Sequence, residues 1–134
     1  RTDGQQGRRT MSESFATEIW PTEIRVQSAE KTLEIDFDTG ESFSIPAELL
    51  RVESPSAEVQ GHVPSQKKLV AGRAHVNIMG MEAIGNYAVK IKFDDLHDTG
   101  IFTWRYLHKL GSEKEQIWER YLAELEAAGL SREP

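Results

Sequence analysis

The stretch that decides the fold runs from Gly85 to Trp104 and reads GNYAVKIKFDDLHDTGIFTW. Gly85 and Asn86 form a dipeptide that is typical of a two-residue hairpin turn. Apolar and polar residues alternate after it as far as Phe93, which is the pattern of a half-buried strand. A polar loop centred on His97 then leads to a short apolar strand and to the start of a helix. This order predicts a strand hairpin followed by a helix, and it identifies a type of domain rather than a reaction.

A similar pattern precedes this stretch. Alternating apolar positions predict three strands joined as a meander; they are Ile24, Val26, Leu33, Ile35, Phe37, Phe43 and Ile45. Asp38-Thr39-Gly40 supplies a short hairpin loop, with glycine where a positive φ is needed. Pro46 to Leu50 then predict a short helix that stops near Ser54, because the residue before a proline disfavours helical geometry.

Residues 53–73 show no regular period and are interrupted by Ser, Pro and Gly. A connection of about twenty residues is unusual inside a compact domain, and such loops are commonly functional or mobile.

Two helices are predicted after the hairpin. Thr103 is placed to cap a helix from Trp104 to Leu110 that Gly111 closes. Ser112-Glu113-Lys114-Glu115 has the pattern of a capping box at the start of the last helix. The apolar stripe of that helix is Ile117, Trp118, Tyr121, Leu122 and Leu125, and Gly129 ends it.

Together the elements predict an α+β domain, with a single antiparallel-rich sheet of about five or six strands and the C-terminal helices packed on one face. We expect residues 17–130 to form this one domain. Residues 1–16 are predicted to be a disordered tail, of which 1–10 read as an expression remnant.

Composition excludes several classes of function. The 134 residues include 16 Lys and Arg against 22 Asp and Glu, for a formal charge of −6, so nucleic acid is not expected as a partner. The chain has no cysteine, which excludes disulfides and thiolate chemistry. No apolar run reaches the roughly 18 residues of a membrane span. We therefore expect a cytoplasmic protein without a membrane partner.

His97 is the first candidate for chemistry. Asp94, Asp95 and Asp98 surround it in sequence, and such carboxylates could fix its tautomer, raise its pKa or share a cation with it. The alternative is a surface turn whose Asp side chains accept hydrogen bonds from their own backbone.

His62, close to Glu58 in the long loop, is a second candidate ligand, whereas we expect His75 and His108 to be exposed or packed. Their spacing matches no standard metal motif.

Other kinds of site lack their usual signatures. Ser54, Ser56 and Ser65 lie outside any Gly-x-Ser-x-Gly elbow and are explained by turns beside proline. The glycines do not form a phosphate-binding loop. The aromatic residues are predicted to form a layer between helices and sheet; they are Trp104, Tyr106, Trp118 and Tyr121.

Three blocks of sequence carry a family resemblance. Residues 50–62 (LRVESPSAEVQGH), 85–89 (GNYAV) and 97–104 (HDTGIFTW) resemble the gamma-butyrobetaine hydroxylase-like N-terminal domain family, over roughly Pro21 to Gly111. The resemblance implies a domain that stands alone in small bacterial proteins, precedes the catalytic domain of carnitine-pathway dioxygenases, or is fused to P-loop scaffold ATPases of iron-sulfur cluster assembly.

The dioxygenase versions hold a structural zinc through three cysteines and a histidine. Those positions fall here on Ser54, Ser56, Val59 and His97, so three of the four ligands are replaced. The resemblance thus implies the fold without the thiolate zinc site, and without oxygenase activity, which needs a separate domain.

Three functions stay open. The first is a non-catalytic accessory or interaction module with a protein partner, linked to iron-sulfur or metalloprotein maturation. Its expected contact surface contains Arg51, Glu58, His62, Asp94, Asp95 and Asp98. The second is a small protein that binds iron or zinc weakly through His97 and neighbouring carboxylates. The third is a small enzyme, for which no acid-base pair or activated nucleophile is evident.

Overall fold

A computed structural model describes residues 19–134, and the predicted tail over residues 1–16 lies outside them. The first unit is an antiparallel sheet in the order β1-β2-β3. Its strands are β1 (Pro21–Gln27), β2 (Thr32–Phe37) and β3 (Ser42–Pro46). Gly40 has φ +89° in the loop between β2 and β3, which confirms the predicted meander and its positive-φ glycine.

The second unit is another antiparallel sheet, in the order β4-β5-β6. Its strands are β4 (Ile78–Ile84), β5 (Ala88–Phe93) and β6 (Ile101–Thr103). Ile84 pairs with Ala88, so the connecting turn has three residues rather than the predicted two. Tyr87 therefore belongs to the turn, where it is 54% exposed.

The prediction of an α+β fold is confirmed, but the prediction of a single sheet of five or six strands is wrong. The structure has two three-stranded sheets. Alternation along the sequence determines which residues form strands, and short loops determine which neighbours pair. Neither signal says whether two meanders separated by a long connection share hydrogen bonds.

The connection between the sheets contains more helix than predicted. The predicted short helix is α1 (Ala47–Val52), with Pro46 as its N-cap. A one-turn helix, α2 (Ala57–Gln60), and a 3₁₀ turn, Pro64–Gln66, follow inside the segment that we expected to be irregular. Elements of three or four residues are too short to produce a detectable hydrophobic period.

The two long helices are α3 (Trp104–Ser112) and α4 (Lys114–Ala128). The amide of Tyr106 donates to Oγ1 of Thr103 over 3.1 Å, which confirms the predicted cap. Gly129 has φ +70° and ends α4 as predicted.

Gly111 does not close α3 but lies buried within it. A Cβ at this position would collide with the ring and Cβ of Phe43. The glycine thus serves a close approach between helix and sheet rather than a helix end.

The predicted capping box is also wrong. Ser112 is the last residue of α3, and its hydroxyl donates to the carbonyl of Lys109 over 3.4 Å. Glu113 is the N-cap of α4 and makes no side-chain capping bond. Only one residue separates the helices, so Ser112 has no free first turn to cap.

One main core joins both sheets and the helices. Its largest fully buried members include Leu33, Ile35, Ile45, Leu49, Leu50, Ile91, Phe93, Phe102, Leu107 and Leu110. Ile117, Tyr121 and Leu125 of α4 are buried as predicted, whereas Leu122 is 38% exposed and does not belong to the buried stripe. Within residues 19–134, no helix combines the length and apolarity that crossing a membrane requires.

Candidate functional site

His97 lies in a tight turn that follows β5. The amide of Phe93 donates to the carbonyl of His97 over 3.0 Å, and the amide of Leu96 donates to the carbonyl of Phe93 over 3.1 Å. Asp95 also holds the turn, because its Oδ1 accepts from the amide of His97 over 3.2 Å. These bonds force Leu96 to a φ of +74°, and its side chain is 87% exposed.

The imidazole of His97 meets the long connection between the sheets. Its Nε2 lies 2.9 Å from Oγ of Ser54 and 3.3 Å from Oγ of Ser56. Its Nδ1 lies 3.0 Å from Oε1 of Glu58. An ionised carboxylate only accepts hydrogen bonds, so Nδ1 carries the proton and Nε2 accepts from a serine hydroxyl.

Burial governs the charge of this histidine. Burial, and secondarily the nearby Arg51 guanidinium, lower the pKa of His97 below its ordinary value of 6.5, although Glu58 and Asp95 act in the opposite direction. His97 is only 7% exposed, and its imidazole is neutral at pH 7. We call His97, Ser54, Ser56 and Glu58 the histidine cluster.

A second cluster of charges lies beside it. Oδ2 of Asp95 is 2.8 Å from Nε of Arg51 and 2.8 Å from Nε of Arg73. The Arg73 contact is an ion pair without hydrogen-bond alignment, and Nη1 of the buried Arg51 has no hydrogen-bond partner among the described residues. Burial favours a neutral Asp95, but hydrogen bonds from Arg51 and from the His97 amide outweigh it and hold the pKa of Asp95 below its usual range.

The predicted site residues are therefore only partly brought together. Glu58 contacts His97, and Arg51 pairs with Asp95. Asp94 instead accepts from the amide of Asn77 over 3.0 Å.

Two more predicted residues stay at the surface. Asp98 is exposed. His62 is also exposed, and its amide donates to Oε1 of Gln66 over 2.7 Å. None of the described contacts links His62 to the histidine cluster.

Sequence reasoning missed two participants. Arg73 is separated from Asp95 by most of the second sheet, and nothing in its local sequence indicates an ion pair. In the sequence, Leu96 is an ordinary apolar residue in a polar loop. Its positive φ could not be predicted, because leucine rarely adopts that conformation. The resemblance alone indicated that Ser54 and Ser56 would lie beside His97.

The histidine cluster has the serine, histidine and carboxylate order of a proton relay, but its geometry does not suit catalysis on a bound substrate. Ser54 is 0% exposed. A nucleophile must reach the reacting atom, and the Ser54 hydroxyl is entirely covered. The cluster instead joins the turn after β5 to the connection that follows α1.

The donor set also does not fit the thiolate zinc of the dioxygenase versions. Ser54 and Ser56 supply neutral hydroxyls, and Val59, buried at 2% exposure in α2, supplies no donor at all. Among residues 19–134, no group of three or more His, Cys, Asp or Glu side chains is arranged to hold a metal ion.

The family follows from a direct comparison. The model of the family described as gamma-butyrobetaine hydroxylase-like, N-terminal, matches residues 24–108, which include the whole histidine cluster. The chain belongs to this family. No curated protein matches it.

Three solved structures are similar to this member of the gamma-butyrobetaine hydroxylase-like N-terminal family. One protein solved by solution NMR is 49% identical with a TM-score of 0.75, over 86% of this chain and 90% of its own. A second, also solved by NMR, is 44% identical with a TM-score of 0.78, over 92% of each chain.

The third is the crystal structure of a protein of unknown function from Acidithiobacillus ferrooxidans, assigned to the DUF971 family. It is 38% identical with a TM-score of 0.57, over 67% of this chain and 90% of its own. The likeness covers 67–92% of this chain and so extends well beyond the quoted sequence blocks.

Proposed function

We propose that the protein is a non-catalytic interaction module that serves iron-sulfur or other metalloprotein maturation. Its contact surface is the turn around His97 together with the neighbouring part of the 53–73 connection. The link to metalloprotein maturation rests on the fusions that the family resemblance implies. The location of the surface rests on the geometry of Leu96.

Leu96 is the observation that supports this surface. It is an 87% exposed apolar side chain in a left-handed backbone conformation. For residues other than glycine that conformation costs about 1–2 kcal/mol, and exposure recovers no hydrophobic energy. Strain of this kind persists where surrounding structure enforces it, and it concentrates at functional sites.

The surroundings of Leu96 are fixed rather than adaptable. Asp95, on one side of Leu96, is held by Arg51. His97, on the other side, is held by Ser54. The apolar side chain is therefore presented from a rigid base, and a rigid contact loses little conformational entropy when a partner binds.

Quantitative affinity capture from a native extract tests this proposal. Leu96→Gly removes the side chain and suits the backbone, so we expect an intact fold and a loss of about tenfold or more in the captured partner. Met79→Ala is the matched control, because Met79 is also exposed, at 72%, but lies in β4. Equal capture by wild type and Leu96→Gly, or equal loss in both variants, would reject the surface.

The link to metalloprotein maturation needs a separate measurement. In a host that lacks its own copy of the protein, wild type and Met79→Ala should restore iron-sulfur enzyme activities that Leu96→Gly leaves low. Unchanged activities in the host without the protein would reject this role while leaving the contact surface intact.

Metal binding by His97 is the second candidate function. Nδ1 and Oε1 of Glu58 are 3.0 Å apart, so an ion that displaced the proton from Nδ1 would meet two adjacent ligands. Titration with zinc or iron(II), followed through the imidazole signals of His97, tests it. Signals that stay unchanged at about millimolar metal, or that move equally in Glu58→Gln, would reject this site.

A further inference from the structure

A second surface of the molecule is covered by its own chain. Gly129 turns the backbone after α4, and the amide of Leu130 donates to the carbonyl of Leu125 over 2.9 Å. Residues 130–134, which we call the return segment, then lie against residues 72–75. This surface adjoins the turn around His97 through Arg73, whose side chain pairs with Asp95, but the inference does not depend on the proposed function.

One arginine anchors the return segment. Nε of Arg132 donates to Oε2 of Glu48 over 2.9 Å, and its Nη2 donates to Oε1 over 2.8 Å. Cζ of Arg132 lies 5.1 Å from the centre of the Trp118 ring. A bidentate pair combined with stacking on an aromatic ring suits the planar guanidinium and is not reproduced by lysine.

Apart from an exposed side-chain contact between Glu133 and His75, the remaining polar contacts are made by the backbone. The amide of Gly72 donates to the carbonyl of Ser131 over 3.0 Å, and the amide of Ala74 donates to the carbonyl of Arg132 over 3.0 Å. Main-chain amides can donate to the carbonyls of any extended segment, whatever its side chains. The surface therefore discriminates chiefly at the position of Arg132.

The two sides of this contact differ in burial. With Arg132 bound to it, Glu48 is only 6% exposed, and the neighbouring Leu49 is fully buried, whereas Trp118 and residues 72–74 are half-buried. The receiving side therefore lies at the edge of the core. Residues 129–134 are all exposed, and the contact between Oε1 of Glu133 and Nε2 of His75 is exposed at both ends. A segment with so little buried apolar surface opens at low cost in free energy.

We propose that the groove formed by Glu48, Trp118 and the backbone of residues 72–74 binds an extended, arginine-containing segment of a partner protein. In the free chain, the return segment occupies this groove. A partner segment gains the same two contacts to its arginine and the same two backbone bonds, after displacing residues 131–133.

A peptide titration tests the proposal. The Arg132→Ala variant vacates the groove without touching the core, and the probe is a capped peptide with the sequence of residues 129–134, GLSREP. We expect saturable shifts of the Gly72 and Ala74 amides and of the Trp118 indole at about millimolar peptide or below. Wild type should bind about tenfold or more weakly, because its own segment competes.

Two matched controls identify the recognised group. A peptide with alanine in place of arginine should produce no saturable shift, and Glu48→Gln introduced into Arg132→Ala should weaken binding about tenfold or more. Amide spectra without peptide establish that each variant is folded.

Three outcomes would overturn the proposal. They are no shift at about 5 mM peptide, equal binding of both peptides, and equal binding by wild type and Arg132→Ala. Dimers of the wild type that Arg132→Ala abolishes would assign the groove to the return segment of a second copy, and would equally overturn a role in binding a partner.

Discussion

The hydroxyl of Ser54 lies 2.9 Å from Nε2 of His97, although 43 positions separate the two residues along the chain. The bond joins the connection between the sheets to the turn that follows β5. Both side chains are buried, so each satisfies a polar group that water cannot reach. The family resemblance implies a link through a metal in versions with cysteines at these positions, whereas here hydrogen bonds make the link.

Removing the imidazole should therefore destabilise the fold. We expect His97→Ala to lower the free energy of unfolding by about 2–4 kcal/mol, because it leaves a cavity and removes the acceptor of the buried Ser54 hydroxyl proton. Urea denaturation measures the change. His62→Ala, at an exposed histidine, should stay within about 0.5 kcal/mol of wild type. A similar small change for His97→Ala would show that the cluster contributes little to stability.

The pH dependence of stability should report the same histidine. The folded pKa of His97 lies below its ordinary value of 6.5, so the unfolded chain binds the proton more readily. The contribution of neutral His97 to the free energy of unfolding is thus complete above about pH 6.5, and it is lost as the pH falls through the folded pKa. Denaturation midpoints at about pH 7.5 and pH 5 should differ more for wild type than for His97→Gln.

An NMR titration of the imidazoles provides the direct check. The pKa of His97 should lie below 6.5, the ordinary value for histidine. A pKa above 6.5 would mean that Glu58 outweighs burial, and the expected slope of stability with pH would reverse.

The last helix offers a matched pair of positions. Trp118 is half-buried and packs against the main core and against a smaller apolar cluster, whereas Leu122 is 38% exposed. The smaller cluster consists of Val52, Tyr121 and Leu125. We expect Trp118→Ala to cost about 3 kcal/mol and Leu122→Ala less than about 1 kcal/mol. Thermal and urea unfolding would measure both. Equal losses would indicate that the helix packs through a different face.

At position 96, the free energy of unfolding should depend on the backbone conformation rather than on the size of the side chain. Leu96→Gly relieves the left-handed strain and should leave the free energy of unfolding unchanged or raise it by up to about 1 kcal/mol. Leu96→Val should lower it by about 1 kcal/mol or more, since β-branched residues tolerate a positive φ poorly. If valine proves as stable as glycine, the strain is absent and the main support for the contact surface is lost.

Gly111 should behave unlike a glycine in an exposed helix. Gly→Ala inside a helix normally gains about 1 kcal/mol, but at this position the methyl group meets Phe43. We expect Gly111→Ala to cost about 1–3 kcal/mol, measured by urea unfolding. Adding Phe43→Leu should reduce that loss in a double-mutant cycle, and strictly additive effects would contradict the contact.

Local signals predicted most of the elements. Alternation located the three strands of the first sheet and β5, and the Thr103 cap and Gly129 were read correctly because each acts within one turn of helix. The same local signals misassigned Gly111 and Ser112. A glycine required by a neighbouring strand looks identical in sequence to a glycine that ends a helix.

The features that went unpredicted depend on distant parts of the chain. The division into two sheets, the pairing of Arg73 with Asp95 and the docking of Arg132 on Glu48 all join residues far apart in sequence. The proximity of Ser54, Ser56 and His97 was anticipated only through the family resemblance, since spacing alone gives no reason for it.

The close approach of Gly111 to Phe43 has a consequence for the history of the family. A larger residue can replace Gly111 only if a smaller residue replaces Phe43, so substitutions at the two positions should occur together. Across diverged homologues we expect a statistical association between them, strong enough to reveal misplaced gaps in alignments of this region.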